Sequence, residues 1–66
     1  MNITVNGTEE TIDNGSTLAD FITAKKLKVD QVVVAVNDDV IERDVYEATK
    51  LNEGDILDVM SFVGGG

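Results

Sequence analysis

The chain has 66 residues, room for one domain with a small core, since a chain this short buries only about 60% of its unfolded surface. It contains no cysteine and no histidine, which excludes a disulfide framework, a typical zinc site and a thiolate-held iron–sulfur cluster. Thirteen acidic residues against five basic ones give a net charge of −8, which argues against nucleic acid and anionic membranes and leaves either plain solubility or a partner with a basic docking surface.

Residues 1–6 alternate, with Met1, Ile3 and Val5 on one face and Asn2, Thr4 and Asn6 on the other, the pattern of a half-buried strand. Asn6-Gly7 signals a hairpin, because a type I′ turn needs positive φ at both central residues. Residues 8–12 form the return strand, whose polarity places it at a sheet edge with Ile12 as its main apolar anchor. Asp13-Asn14-Gly15-Ser16 is a turn. Thr17-Leu18-Ala19-Asp20 then fits a capping box with Asp in place of Glu. Leu18, Phe21 and Ile22 fall at i, i+3 and i+4 and give a one-sided apolar face, with Phe21 in the core. Lys25, Lys26 and Lys28 suit the negative end of the dipole, so the spacing predicts a helix of about two and a half turns. It is too short to stand alone and must pack on a sheet.

The run Val32-Val33-Val34-Ala35-Val36 reads as a strand covered on much of both faces. Asn37-Asp38-Asp39 is a turn and Val40-Ile41 a small edge strand. Asp44-Val45-Tyr46-Glu47 has helix-start chemistry and predicts a single helical turn, with Tyr46 over a sheet edge. Asn52-Glu53-Gly54-Asp55 is another turn, and residues 56–62 are the last strand. Leu57 and Val59 share one of its faces; Ile56, Asp58 and Met60 share the other, and Asp58 argues that this second face meets water. There is no internal repeat. The order ββ-α-ββ-short helix-β predicts a two-layer α+β domain over residues 1–63, a mixed four- to five-stranded sheet with one main helix on one face, followed by a flexible tail at 64–66.

The body of the domain offers little catalytic chemistry. Asp38, Asp39 and Glu42 lie in or beside a predicted turn, where Asp is favoured for backbone reasons, so no metal or acid/base site is expected there. Ser16 and Ser61 have no histidine to activate them. The chain is therefore read as a non-enzyme with no bound cofactor. It shows no basic n-region and nothing near the ~20 apolar residues of a membrane span, so a cytoplasmic monomer is expected.

The distinctive group is at the end. Gly64-Gly65-Gly66 follows Phe62-Val63, can bend at little steric cost, and reaches roughly 10 Å past the last packed residue. It has no side chain to obstruct a narrow channel, and it ends in an α-carboxylate that another protein's active site could use. Ile56, Met60 and Phe62 form a candidate apolar docking patch beside it. A frayed terminus or linker remnant is the plain alternative for the glycines.

Together these pieces resemble the β-grasp sulfur carriers, most closely those of thiamine biosynthesis (ThiS). The resemblance spans Ile3-Thr4-Val5-Asn6-Gly7, Gly15 to Ile22, Val34-Ala35-Val36-Asn37 with Val40 and Arg43, Leu51 to Ile56, and Phe62-Val63-Gly64-Gly65-Gly66. It implies a ubiquitin-like fold. It also implies that a ThiF-like, E1-type enzyme adenylates Gly66 with ATP and Mg²⁺, and that sulfur from a persulfide donor yields a thiocarboxylate. A ThiG-like thiazole synthase would accept that sulfur, with Gly64 and Gly65 threading the partners' channels. Carriers for molybdopterin or cysteine synthesis share this tail chemistry. A ubiquitin-like modifier would conjugate to lysines instead, and an interaction module would not need the tail.

Overall fold

The computed structural model of the protein describes residues 1–61; Phe62, Val63 and the glycines at 64–66 lie outside the described residues. Strand β1, Asn2–Val5, turns at Asn6-Gly7 into β2, Thr8–Thr11. Helix α1 is Leu18–Ala24, followed by a short 3₁₀ segment, Val29–Gln31, that the sequence did not signal. Strand β3, Val32–Val36, turns into β4, Asp39–Ile41; a second 3₁₀ segment, Arg43–Ala48, precedes β5, Ile56–Ser61. The described strands form one five-stranded mixed sheet in the order β2-β1-β5-β3-β4. β5 runs parallel to β1 and antiparallel to β3, so the last strand of the chain sits in the middle of the sheet.

Turn chemistry sets both hairpins. Asn6 and Gly7 have φ of 50° and 84°, the signs a type I′ turn requires. The β3–β4 turn does the same without glycine, with Asn37 at 52° and Asp38 at 72°. Asn and Asp tolerate this region because their short polar side chains bond locally. Asp39 therefore opens β4 instead of belonging to the turn.

The capping box is complete: Thr17 Oγ1 accepts from the Asp20 N–H at 3.1 Å, and Asp20 Oδ2 accepts from the Thr17 N–H at 3.0 Å. The Leu18 N–H, another orphan donor of the first turn, goes to the Thr49 carbonyl at 2.7 Å. The helix is shorter than expected because it stops at Lys26, whose φ is 59°. The Lys26 N–H donates to the Thr23 carbonyl and the Leu27 N–H to the Ile22 carbonyl, a Schellman ending with lysine where glycine is usual. Leu27 packs back against the core.

That core lies between α1 and one face of the sheet. Leu18, Ile22, Ile3, Val32, Val34 and Leu57 are almost wholly buried, each stabilising the fold by about 1.5–3 kcal/mol relative to an exposed position. Phe21 joins them, as does Tyr46, which is buried in the core and does not merely cover an edge as its sequence position suggested. The second 3₁₀ segment is longer than one turn and packs on α1, which carries Tyr46 inward. The valine run also needs correction. Val32 and Val34 are buried, but Val33 and Ala35 are only half-buried, because the described residues place a helix on one face of the sheet.

Candidate functional site

β5 presents two unlike faces. Leu57 and Val59 point to the helix side; Ile56, Asp58 and Met60 point to the helix-free side, as the alternation requires. Ile56 is 53% exposed and Met60 59% exposed, so the two described members of the candidate patch are both open to solvent and share one face. Phe62, the third, falls outside the described residues. Asp58 is exposed between Ile56 and Met60, as its charge led one to expect.

Neighbouring strands extend this surface. Met60 lies opposite Val33, and Ala35 lies between Asp58 and Val40, which is 69% exposed. Ile56 lies beside Thr4, and Thr4 lies opposite Glu9. The helix-free face is thus an apolar strip of Ile56, Met60, Val33, Ala35 and Val40 with Asp58 within it and Glu9 at its edge. Val40 was read in the sequence only as part of an edge strand. Its membership depends on the β3–β4 register, which places it on the Ala35 side and Ile41 toward the core.

The opposite side has an open groove of about 620 Å³ between β2 and α1, lined in part by Glu10, Asp13, Asp20 and Lys25. Three of these groups already have structural partners: Asp20 completes the capping box, and Glu10 pairs with Lys25, whose ammonium also lies 5.8 Å from the Phe21 ring centroid. Asp38, Asp39 and Glu42 are exposed, and among the described residues no three carboxylates gather to hold a metal.

Two turns grip the central strand. The Asn6 side chain takes the Val59 N–H on Oδ1 at 2.8 Å and donates from Nδ2 to the Val59 carbonyl at 3.2 Å. At the other end the Asn37 Oδ1 accepts from the Ile56 N–H at 3.0 Å, and its Nδ2 donates to Asp55 Oδ1 at 3.0 Å. Asp55 is buried at 8% exposure and also accepts from the Asn52 N–H at 2.8 Å. The Gly54-Asp55 pair in the approach to the last strand is therefore structural, a turn glycine at φ 84° and a carboxylate that ties the β3–β4 turn to the turn before β5.

A single helix on one face of a mixed sheet, with β1 and β5 paired in parallel inside that sheet, defines a β-grasp domain, and an apolar strip lies exposed on the far face. The model of the ThiS family matches residues 3–66, and the chain belongs to that family. The crystal structure of the thiamine biosynthesis protein ThiS from Geobacter metallireducens is 35% identical, with a TM-score of 0.84 and both chains covered in full. The solution structure of a thiamine biosynthesis protein from the same organism gives a TM-score of 0.79 at 35% identity, over all of this chain and 88% of that one. A thiazole synthase from Magnetococcus marinus is 33% identical over 66 residues, and the chain spans 20% of the length of that relative. No helix among the described residues is long and apolar enough to cross a membrane.

Proposed function

We propose that the chain is a sulfur carrier for the thiazole moiety of thiamine and acts through the carboxylate of Gly66. The observation that carries this reading is the extent of the family match, which runs from Ile3 through the final glycines. The physics explains why such a carrier needs a partner. An α-carboxyl has a pKa of about 3.5, so at neutral pH the group is an anion and a poor electrophile. Transfer of AMP from ATP by an E1-type, ThiF-like enzyme supplies a leaving group at the acyl carbon. The terminal sulfur of a persulfide donor then attacks the acyl carbon and expels AMP, and a thiol reductant cleaves the S–S bond of the resulting acyl disulfide to leave a thiocarboxylate. The chain contributes the reacting carboxylate and the docking surface, and the enzymes contribute the catalysis.

The sulfur acceptor is a ThiG-like thiazole synthase. The relative of that name carries a segment similar to this whole chain within its own length, which supports pairing the chain with a thiazole synthase. The exposed strip at Ile56, Met60 and Val40 supplies apolar area for docking. Asp58 and Glu9, with the net charge of −8, favour a partner whose rim is basic. Gly64 and Gly65, which carry no side chain, enter the partner's channel.

The test is intact-protein mass spectrometry after incubation with ATP, Mg²⁺, a sulfide source and a ThiF-like enzyme. A mass gain matching replacement of one oxygen by sulfur, mapped to Gly66, is the expected result. No adenylate and no thiocarboxylate, with the enzyme active on its own carrier, would overturn the reading.

A further inference from the structure

Asn6 was singled out in the sequence as half of a hairpin turn, but its side chain does something a turn does not require. In a parallel ladder one residue of β1 donates to one β5 carbonyl and accepts from a β5 N–H two residues further on. The Asn6 N–H makes the first of these bonds, to the Leu57 carbonyl at 2.9 Å. The backbone then turns away at φ 50°, so its carbonyl leaves the ladder. The side-chain amide takes over. Its Oδ1 accepts from the Val59 N–H at 2.8 Å and its Nδ2 donates to the Val59 carbonyl at 3.2 Å. One primary amide thus stands in for a peptide unit and continues the β1–β5 pairing past the end of β1, which stops at Val5. The orientation of the amide follows from its partners, since an N–H must meet the oxygen and a carbonyl the nitrogen.

Val59 is the last β5 residue gripped from the β1 side among the described residues. Beyond it Met60 and Ser61 pair with β3 alone, opposite Val33 and Val32. Without Asn6, the end of β5 is held on one edge over its final residues. Both bonds are solvent-exposed, so their net worth to folding is small, whereas their directional effect on the strand end is not.

We propose that Asn6 is a positioning residue for the reactive end of the chain: its clamp on Val59 fixes the end of β5, and through it the alignment of the Gly66 carboxylate in an activating enzyme. This rests on the carrier reading above. A small misplacement of a reacting group lowers the chemical step more than the binding step when docking is made elsewhere. Here docking is assigned to the side chains of Ile56 and Met60, whereas the hydrogen bonds of Asn6 go to the backbone of Leu57 and Val59.

The experiment compares the full-length chain with Asn6→Gly, Asn6→Asp and Asn37→Gly. Glycine keeps the positive φ of the turn and removes the clamp. Aspartate keeps the acceptor for the Val59 N–H and loses the donor. Asn37→Gly removes the corresponding grip at the other end of β5 and controls for general loosening. Two readouts are taken: amide hydrogen exchange at Val59, and single-turnover adenylation by a ThiF-like enzyme over a range of enzyme concentrations. In Asn6→Gly, Val59 exchange rises about tenfold, as loss of about 1.4 kcal/mol of protection implies. The saturating rate falls by about tenfold as well, while half-saturation stays unchanged. Asn6→Asp recovers part of both, and Asn37→Gly leaves the saturating rate at the wild-type value. A wild-type saturating rate in Asn6→Gly, or an equal loss in Asn37→Gly, would overturn the positioning role while the carrier reading stands. Failure of the wild-type chain itself to be adenylated, by an enzyme active on its own carrier, would overturn the carrier reading and this role together.

Discussion

The Asn37 side-chain amide donates to the Asp55 carboxylate at 3.0 Å and so ties the β3–β4 turn to the turn that opens the central strand. Asp55 also takes the Asn52 N–H, and Asn37 in turn takes the Ile56 N–H. Replacing Asp55 by Ala leaves two donors without their acceptor in a partly buried place. The expected cost is about 2–3 kcal/mol, a large part of a small domain's stability. Urea unfolding followed by far-UV circular dichroism measures it. A loss below about 0.5 kcal/mol would mean that water replaces the carboxylate without penalty.

Lys26 ends α1 in the left-handed region, where glycine is unstrained and other residues are not. Lys26→Gly is therefore expected to stabilise the protein by about 0.5–1 kcal/mol, a rise in Tm of about 4 °C for a chain of this size. Thermal unfolding checks it. A lower Tm would show that the lysine stem contributes more by packing than its backbone costs.

Met60 and Ile56 are exposed, so charging them should spare the fold and disturb docking. Met60→Asp is expected to weaken association with a ThiF-like or ThiG-like partner by about tenfold or more, the equivalent of burying one apolar side chain less well. Val40→Asp, further across the face, should cost less. Titration by fluorescence anisotropy, with circular dichroism as the check on folding, gives both values. Unchanged affinity in Met60→Asp would place docking on another face.

Gly65→Val should block activation and leave the domain folded. A branched side chain narrows the backbone's freedom and adds bulk where the proposed channel admits only main chain. The measurement is adenylate formation by mass spectrometry beside a circular dichroism spectrum. Adenylation at the wild-type rate, or a lost fold, would count against the threading role.

Much of this architecture is local and therefore legible in the chain itself. Alternation at 1–6, the Asn6-Gly7 turn, the Thr17–Asp20 box and the Ile56/Met60 face each depend on residues within a few positions of one another, and each is present in the structure. Absence of cysteine and histidine likewise narrowed the chemistry before any fold was known. The family, too, was readable from motifs in order along the whole chain, and residues 3–66 match it. What sequence periodicity could not supply was pairing across long separations. Tyr46 went into the core because the 3₁₀ segment packs on α1, and Val40 joined the open face because β4 pairs with β3 in one register and not the next. A one-residue slip would have sent Val40 to the other face. The roles of Asn6 and Asn37 are of the same kind. Each occupies a turn for a local reason, but what its amide holds, 53 residues away for Asn6 and Val59, is set only when β5 inserts between β1 and β3.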